Sequence, residues 1–527
     1  MASTAAPAAG VPQTAKSGGV ALPMLAVILA VFMAILDTSI VNVAIPKMMS
    51  VFGVNQSQIE WVVTAYALVS GALVPATGYL GDRFGYKRMF LISMVVFTIG
   101  SGLCGVAWSN NSMILFRIVQ ALGGGALMPI SMAMIFRMFP PEKRGMAMGL
   151  FGIAIMFAPA TGPTLSGYIV EYLDWRLIYT INVPIGIIDF FLALAVLKEF
   201  KAPVIQKFDF WGFITSSGGL ASLLYGVGKV TEKGWSDSEV VTFITIGLVC
   251  LVIFVVIELT IDHPLLDLSL LKNLTYTLSL IISSIATLIM MGVLFLLPVF
   301  LQNLSGLSAI QTGLILLPQA VMSGIMMPIA GALFDKIGAR LIAVIGLTIT
   351  GISLYLSSAL DITTAFSTLI FWLVLRAVGM GLMMMPIQTA GMNQVPMHKM
   401  GQGTALSNTI RQISASFGIA WLGLMFSQRT TFHSADLSSQ LNMFSTSVST
   451  HFAQLQNQYM GMGQSAAQAH VSALSYLGGQ VQLQSTIMGL QDVFVITSLL
   501  SFAAAVLSIF LKNTKSAGGP KAHVMGE

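Results

Sequence analysis

The chain has 527 residues, of which 56% are hydrophobic and only 9% are charged, whereas a soluble domain carries about 25% charged residues. This composition excludes an ordinary soluble protein and predicts a polytopic membrane protein. The net charge of +5 is explained by basic connections between membrane spans, so no nucleic-acid partner is indicated. Cys104 and Cys250 both lie in apolar runs, which is not the pattern of a disulfide framework or of a cysteine metal site.

Apolar stretches of about 20 residues recur along the whole chain, each long enough to cross a hydrocarbon core of about 30 Å as a helix. Hydropathy and helix-breaking residues predict fourteen spans, at 22–45, 58–80, 88–107, 112–134, 144–168, 176–197, 210–229, 240–260, 274–300, 309–332, 340–360, 366–388, 402–427 and 490–511. With both termini in the cytoplasm, most of the 25 Lys and Arg residues fall on the cytoplasmic side, as the positive-inside rule requires. We therefore expect an all-α protein with both termini cytoplasmic.

An internal repeat divides the chain into two halves. SGALVPATGYLGDRFGYKR at 70–88 and SGIMMPIAGALFDKIGAR at 323–340 share residues at matching positions, including the pair Asp82 and Asp335. Parallel repeats of six helices build one large transporter fold, with the substrate site near the midplane between the halves. The predicted parts are a cytoplasmic tail at 1–21, an N-terminal six-helix half at 22–200, a two-helix insertion with flanking loops at 201–272, a C-terminal six-helix half at 273–511 that includes an outward loop at 428–489, and a cytoplasmic tail at 512–527.

Four motifs carry a resemblance to a known family. They are LDTSIVNVAIP at 36–46, GYLGDRFGYKR at 78–88, RIVQALGGG at 117–125 and GLFGIAIMFAPATGPTLSG at 149–167. On these motifs the chain resembles the major facilitator superfamily, and within it the fourteen-helix drug:proton antiporter branch of EmrB/QacA type. It departs from the usual pattern where Ala121, Ala158 and Ser166 replace glycines. The resemblance implies a major facilitator fold, two six-helix bundles plus two inserted helices, in the bacterial cytoplasmic (inner) membrane.

The resemblance also implies roles for two of these motifs. It implies a gate that favours the state closed to the cytosol, formed by Gly78, Asp82, Arg83, Gly85 and Arg88 with Asp335 and Gly338 from the repeat. From the residues alone, Asp82 can accept hydrogen bonds from amides at a helix N-terminus, or the charges can be ordinary loop charges. It further implies a seal between the halves at Gly149, Gly152, Gly162, Pro163 and Gly167, where plain helix packing is the alternative reading.

Asp37 stands near the middle of an apolar run, where a charged side chain costs about 2.5–3.5 kcal/mol and needs a reason. Arg117 is predicted at a compatible depth. We expect Asp37 to face the central cavity and to couple proton movement, balanced by Arg117 or by a cationic substrate. The alternatives are a fixed Asp37–Arg117 brace and an Arg117 that reaches the outer headgroups. Asp189, a second deep acid, is a candidate for proton coupling or for structural pairing.

Other positions are candidates for the substrate cavity. The 33 methionines suit a pliable pocket, because thioethers repack around different shapes. The candidate cavity residues are Met33, Tyr66, Met156, Phe157, Met291, Phe295, Gln319, Gln388 and Arg411. In the outward loop at 428–489, apolar residues at helical spacing, among them Phe452, Leu455 and Tyr459, predict short amphipathic helices over the outer mouth. Scattered histidines give no recognisable metal site.

Taken together, these patterns and the resemblance predict a secondary transporter that exports amphipathic, often cationic, drugs and toxic compounds in exchange for protons, by alternating access of its two halves. A P-loop of the form GxxxxGK[ST] is absent from the sequence, so we expect no cofactor and no ATP drive within this chain. The expected partners are lipophilic small molecules, protons and the lipid bilayer, with a periplasmic adaptor if the cell has two membranes. The alternatives are an exporter dedicated to one metabolite or self-made antibiotic and, from another class, a polytopic membrane enzyme or sensor.

Overall fold

The computed structural model describes residues 21–201, 207–440 and 446–512, so nearly all of the predicted terminal tails lies outside the described residues. No strand occurs in these ranges. The helices are α1 (Ala21–Phe52), α2 (Gln56–Leu73), α3 (Thr77–Phe84), α4 (Tyr86–Gly105), α5 (Asn110–Met138), α6 (Arg144–Tyr172), α7 (Leu177–Thr180), α8 (Asn182–Val196), α9 (Phe210–Lys233), α10 (Ser238–Thr260), α11 (Leu274–Val299), α12 (Ala309–Ile337), α13 (Ala339–Ser357), α14 (Phe366–Met392), α15 (Met400–Gln440), α16 (Thr446–Gly461) and α17 (Ala466–Ser508).

These helices form an all-α membrane protein with the predicted order of spans. Twelve helical segments in the described ranges are long and apolar enough to cross a membrane. The two remaining predicted spans are α9 and α15, which are long but more polar. Two polar residues of α9 contact neighbouring protein and not lipid: Ser216 is buried, and Ser217 donates to the carbonyl oxygen of Ala72 at 2.6 Å. Burial against neighbouring helices therefore compensates for the lower hydropathy.

The two halves pack against each other mainly through α6 and α12, and the insertion lies to one side. Helix α9 packs against α2, α10 and α15 and thereby bridges the halves. Helix α10 packs chiefly on α9 and exposes a broad apolar face, including Val252 and Leu259. That face matches a lipid-facing surface, because a helix that is apolar on its outer side is stable only against lipid or protein.

The predicted outward loop at 428–489 is wrong as a loop, because most of it extends the flanking spans. Helix α15 continues to Gln440, well past the predicted end at 427, and α17 begins at Ala466, well before the predicted start at 490. With 41 and 43 residues, each helix is about 60 Å long, against a hydrocarbon core of about 30 Å. Gln, Ser and Ala lower hydropathy without breaking a helix, so the hydropathy boundary and the helix boundary differ.

Between them lies α16, the short helix that the spacing of Phe452, Leu455 and Tyr459 predicts. It packs on α17, where the ring of Phe452 meets that of His470 at a centroid distance of 5.1 Å. Further along α17, Asp492 accepts from Arg429 at 2.6 Å and contacts His433 at 2.7 Å, and both partners lie on α15. We call α16 with the adjoining parts of α15 and α17, residues 428–440 and 466–489, the helical extension.

Candidate functional site

Asp37 lies at the centre of a polar network inside the N-terminal half. Arg117 donates to one of its carboxylate oxygens at 2.5 Å. The other oxygen accepts from Gln120 at 2.8 Å and from Asn182 at 3.0 Å. Gln120 also donates to the hydroxyl of Ser101 at 2.6 Å. The carboxylate is thus charge-balanced and held by donors from α5 and α8, and Ser101 of α4 accepts from Gln120 and Asn182.

Arg117 is enclosed as completely as its partner. Its side chain is 1% exposed and that of Asp37 is 0% exposed. The guanidinium also donates to the carbonyl oxygen of Val62 at 3.1 Å and to Gln120 at 2.7 Å, and it lies 4.2 Å from the ring centroid of Tyr66. Arg117 therefore does not reach the headgroups, since all its contacts are inside the bundle.

The expectation that Asp37 faces the central cavity is wrong for this conformation. On α1 the neighbouring Thr38 and Asn42 are exposed, whereas Asp37 points to the interior of its own half. Tyr66 and Met33, predicted as cavity residues, are buried in the same half. The physical reason is the pairing itself, because an ionised carboxylate is stable in the membrane interior when a guanidinium and neutral donors surround it.

The sequence contained partial signals for the three neutral partners, which were missed. Gln120 lies one helical turn after Arg117 in RIVQ, so both side chains lie on one face of α5. Asn182 opens α8, and Ser101 lies on α4 among small residues. Each is a polar residue in an apolar span, but spans contain many such residues, and the sequence alone does not show which of them meet.

Asp189 lies on the same face of α8 as Asn182, seven residues further along. The buried residues of this helix are Asn182, Gly186, Asp189 and Ala193, a spacing of four, three and four that marks one helix face. Asp189 is 0% exposed, and neither carboxylate oxygen has a hydrogen-bond partner among the described residues. Structural pairing, the alternative reading of this acid, is therefore not seen in this conformation.

The segment 78–88, whose pattern recurs at 331–340, forms a turn that charged contacts hold within the N-terminal half. Asp82 accepts from Arg137 at 2.8 Å and from the hydroxyl of Tyr86 at 3.0 Å. Gly85 has φ +96°, a conformation that favours glycine. Next to it, the backbone amides of Lys87 and Arg88 donate to Glu199 at 2.9 and 3.2 Å. Arg83 donates to Tyr79.

The two repeated acids differ in what they contact. We predicted helix N-terminal amides as partners of Asp82, but it is Asp335 that has them: it accepts from the amides of Gly145 and Met146 at 3.1 and 3.0 Å. Those amides open α6 in the other half. Gly338, the repeat counterpart of Gly85, likewise has a positive φ of +84°. The Asp335 contact joins the halves at the end of the molecule that carries the repeated motifs, which we call the motif end.

Close backbone contacts accompany this link. A Cβ added to Gly78 would lie 2.7 Å from the backbone of Gly401 on α15, and one added to Gly331 would lie 2.2 Å from the carbonyl oxygen of Gly145. Arg144 also donates to Asn393 across the halves at 2.9 Å. The halves are therefore in direct contact at the motif end in this conformation.

The small residues of α6 line its contacts with two helices. Added Cβ atoms on Gly149 and Gly152 would meet Met327 of α12, and Gly167 faces Ile310 of the same helix. Gly162, beside Pro163, faces Ser39 of α1 instead. Most of this motif thus lies where α6 meets the opposite half, the place expected of a seal, and close approach explains why small residues occur there.

The remaining candidate cavity residues are dispersed. Gln388 and Arg411 line one small pocket between α11, α14 and α15. Gln319 accepts from Arg376 at 2.8 Å. Phe157 stacks on Phe32 at a centroid distance of 6.5 Å, and Met156 and Met291 are half-buried. The side chain of Phe295 lies outside the described part of the structure. In the described ranges, no three His, Cys, Asp or Glu residues cluster in a way that could hold a metal ion.

Comparison with known proteins agrees with this architecture. The model of the Major Facilitator Superfamily matches residues 27–419. The uncharacterized MFS-type transporter YhcA of Bacillus subtilis (strain 168) is 41% identical over 503 residues, 94% of this chain and 93% of that protein. The multidrug export protein EmrB of Haemophilus influenzae is 30% identical over 500 residues, 94% of this chain and 96% of that protein. A solved structure of the proton:xylose symporter XylE shares the fold with a TM-score of 0.59 at 15% identity, covering 95% of this chain and 97% of that chain.

Proposed function

Since the chain belongs to the major facilitator superfamily, a family of membrane transporters and not of enzymes, we propose that it is a proton-coupled exporter of amphipathic, often cationic, compounds. Relatives named for multidrug export support this direction. The observation that carries the coupling is the buried network in which Arg117 donates to Asp37. A carboxylate that can be charged or neutral, next to a cation that cannot lose its proton, gives two electrostatic states within one half.

The chemistry of coupling follows from that pair. When Asp37 is ionised, Arg117 balances it and the network is closed. When Asp37 takes up a proton, its attraction to Arg117 falls, and the buried guanidinium is left without a counter-ion, which is unfavourable in a low-dielectric interior. Protonation therefore favours a rearrangement of α1 against α5. One proton moving through 100 mV corresponds to about 2.3 kcal/mol, enough to drive useful accumulation.

Asp189 is a second protonatable group in this proposal. A buried carboxylate with no partner is more stable neutral than ionised, so in this conformation it holds a proton. It lies about 10 Å along α8 from Asn182, which itself donates to Asp37. A movement that opens the face between α8 and α4 would let Asp189 release its proton, and Asp189 would then contribute to the coupling.

The motif end is the cytoplasmic end in this proposal, and the conformation is the one with the cytoplasmic gate closed. Basic residues are concentrated at this end, among them Arg83, Lys87 and Lys143, and the positive-inside rule supports this orientation. The membrane is then the bacterial cytoplasmic membrane, with both termini inside. Alternating access would require the contacts of Asp335 and Gly78 with the opposite half to break and re-form.

The test uses purified protein in liposomes that hold a stored pH gradient and a pH-sensitive dye. Addition of substrates from a panel of lipophilic cations and amphipathic acids should release the gradient in wild-type vesicles. Asp37→Asn should abolish this response. The matched control is Asn42→Ala, which changes an exposed residue of the same helix, α1, and should retain the response. Release by many chemically different compounds supports a multidrug exporter, and release by a single compound supports the dedicated exporter. A panel without any response in well-oriented vesicles would contradict proton exchange.

A further inference from the structure

The C-terminal half contains cations without matching acids. Arg376 is 4% exposed, and its only hydrogen bond in the described structure goes to the amide oxygen of Gln319. Arg411, partly exposed to a pocket, donates to Asn408 and to the sulfur of Met128 at 2.9 Å. Neither has a carboxylate within ion-pair distance among the described residues. Buried charges are normally paired, so these two arginines need another explanation.

The pocket beside Arg411 is rich in hydrogen-bond donors. It is lined by Ser283, Ser284 and Thr287 of α11, Gln388 of α14, and Ser407 and Arg411 of α15, with apolar residues between them. The hydroxyl of Thr287 is buried and has no partner in the described structure. No Asp or Glu lines the pocket, and the sequences of α11 and α14 contain none.

The pocket also lies where the halves meet. Met128, which accepts from Arg411, and Met132, which accepts from Gln388 at 2.9 Å, both belong to α5 of the N-terminal half. The deep acids of that half do not offset the charge of Arg411, because Asp37 is paired with Arg117 and Asp189 is buried on α8 within the N-terminal half. A ligand group entering here meets a guanidinium, hydroxyls and flexible thioethers.

From this arrangement we infer that the Arg411 pocket binds the acidic head group of an amphipathic organic acid, with a carboxylate as the simplest case. This rests on the proposed export function and assigns this pocket to the acidic members of its substrate range, while cationic members would bind elsewhere. Guanidinium and hydroxyl groups donate to carboxylate oxygens, and such charge-assisted hydrogen bonds are the strong ones. The apolar part of the ligand packs against the methionines of α5 and α14. A lipophilic cation would meet like charge at this position.

Three ligands that differ only in head group test the inference: 1-pyrenebutyrate, 1-pyrenebutanol and (1-pyrenebutyl)trimethylammonium. Binding to purified protein in a non-ionic detergent at neutral pH is followed by energy transfer from tryptophan to pyrene. We expect the wild-type protein to bind the carboxylate about tenfold or more tightly than the alcohol, in line with a hydrogen bond to a charged group, and the ammonium most weakly. Equal binding of all three, or tightest binding of the ammonium, would overturn the inference without any variant.

Variants then test whether Arg411 causes the tighter binding of the carboxylate. Arg411→Gln should remove it, so that carboxylate and alcohol bind alike, and Arg411→Lys should retain part of it. The matched control is Arg376→Gln, which removes another unpaired guanidinium of the same half outside the pocket and should leave the preference intact. A full preference in folded Arg411→Gln would overturn the assignment to this pocket. Ligand binding is measured in detergent without a pH gradient, and proton exchange is measured in liposomes. Either experiment can give a negative result while the other is positive, so the two proposals are tested separately.

Discussion

At the scale of single residues, Asp37 and Arg117 depend on each other. Each is enclosed in the N-terminal half, and Arg117 has no other carboxylate within ion-pair distance in the described structure. Removing one member of a buried ion pair typically costs about 3–5 kcal/mol, because the other charge stays buried and unbalanced. This mutual dependence makes the stability of variants informative about coupling.

We predict that Asp37→Asn abolishes proton exchange and also lowers the unfolding temperature in detergent. A carboxylate that faced a cavity would tolerate this change, but Asp37 lies against the enclosed Arg117, so the change leaves a buried charge unbalanced. The double variant Asp37→Asn/Arg117→Gln removes both charges and should recover most of the unfolding temperature while remaining uncoupled. Proton exchange at the wild-type rate in either variant would contradict the coupling role, and an unchanged unfolding temperature in the single variant would contradict the buried pair.

For Asp189→Asn we expect an effect on proton coupling without a loss of stability. The substitution Asp189→Asn replaces a neutral acid by a neutral amide of similar shape, so the unfolding temperature should not fall. If Asp189 releases a proton during transport, the number of protons exchanged per substrate should decrease, as measured by parallel dye and radiolabel assays in liposomes. Gln120→Ala offers a contrast, because it removes a donor to Asp37 and should reduce stability. An unchanged ratio in Asp189→Asn would leave this acid outside the coupling.

At the scale of helices, the motif end is closed by unequal contacts from the two repeats. Asp335 of α12 accepts from the first amides of α6, where the helix dipole favours an anion. Asp82 instead makes an ion pair with Arg137 inside its own half. The hydrogen bonds of Asp335 therefore join the halves, whereas the ion pair of Asp82 braces one half.

We expect Asp335→Asn and Asp82→Asn to affect transport in different ways. Asp335→Asn weakens closure directly, so probes on the cytoplasmic side should reach Ser407→Cys more often in a background without Cys104 and Cys250. Asp82→Asn should slow turnover more than it weakens substrate binding, because a brace is altered and no pocket residue is changed. The effect of Asp335→Asn is measured as the rate of maleimide labelling. The effect of Asp82→Asn is measured by comparing initial transport rates with substrate-binding constants. Equal labelling with and without Asp335→Asn would contradict its role in closure.

The helical extension is a separate element with its own expected behaviour. Deleting α16 and rejoining α15 to α17 by a short Gly/Ser linker removes the Phe452–His470 contact but leaves the Arg429–Asp492 ion pair. We predict that the shortened protein folds and binds substrate in detergent, while binding of an envelope adaptor, if the cell has one, is weakened. Binding is measured by pull-down with the adaptor. Loss of the folded protein would show that the extension stabilises the spans.

At the scale of the whole molecule, the proposed alternating access requires the halves to separate at the motif end. Arg144 and Asn393 meet there across the halves. In a background without Cys104 and Cys250, Arg144→Cys/Asn393→Cys should be joined by a cleavable bis-maleimide, and the joined protein should not transport. Cleavage of the linker should restore transport, and each single variant treated in the same way should remain active. Transport by fully joined protein would exclude opening at this end.

The sequence by itself determined the membrane class, the order of the spans, the duplicated halves and the family. Hydropathy is a local property, and glycines and charges at matching positions in 70–88 and 323–340 reveal a repeat without any knowledge of contacts. It also indicated that Asp37 and Arg117 lie at compatible depths. Rotation about the helix axis was not determined, because a helix that is apolar on every side carries little periodic signal of which face points where.

Only the tertiary structure decided which polar residues meet. Each residue turns about 100° around an α-helix. A small error in the predicted direction of a side chain therefore changes which residues it is predicted to contact. For this reason Asp37 is found inside its own half with Gln120 and Asn182, although a place in the cavity was expected. Asp335, and not Asp82, accepts from the amides that open α6. Arg411 lies in an acid-free pocket, a property that depends on how α11 packs against the consecutive helices α14 and α15.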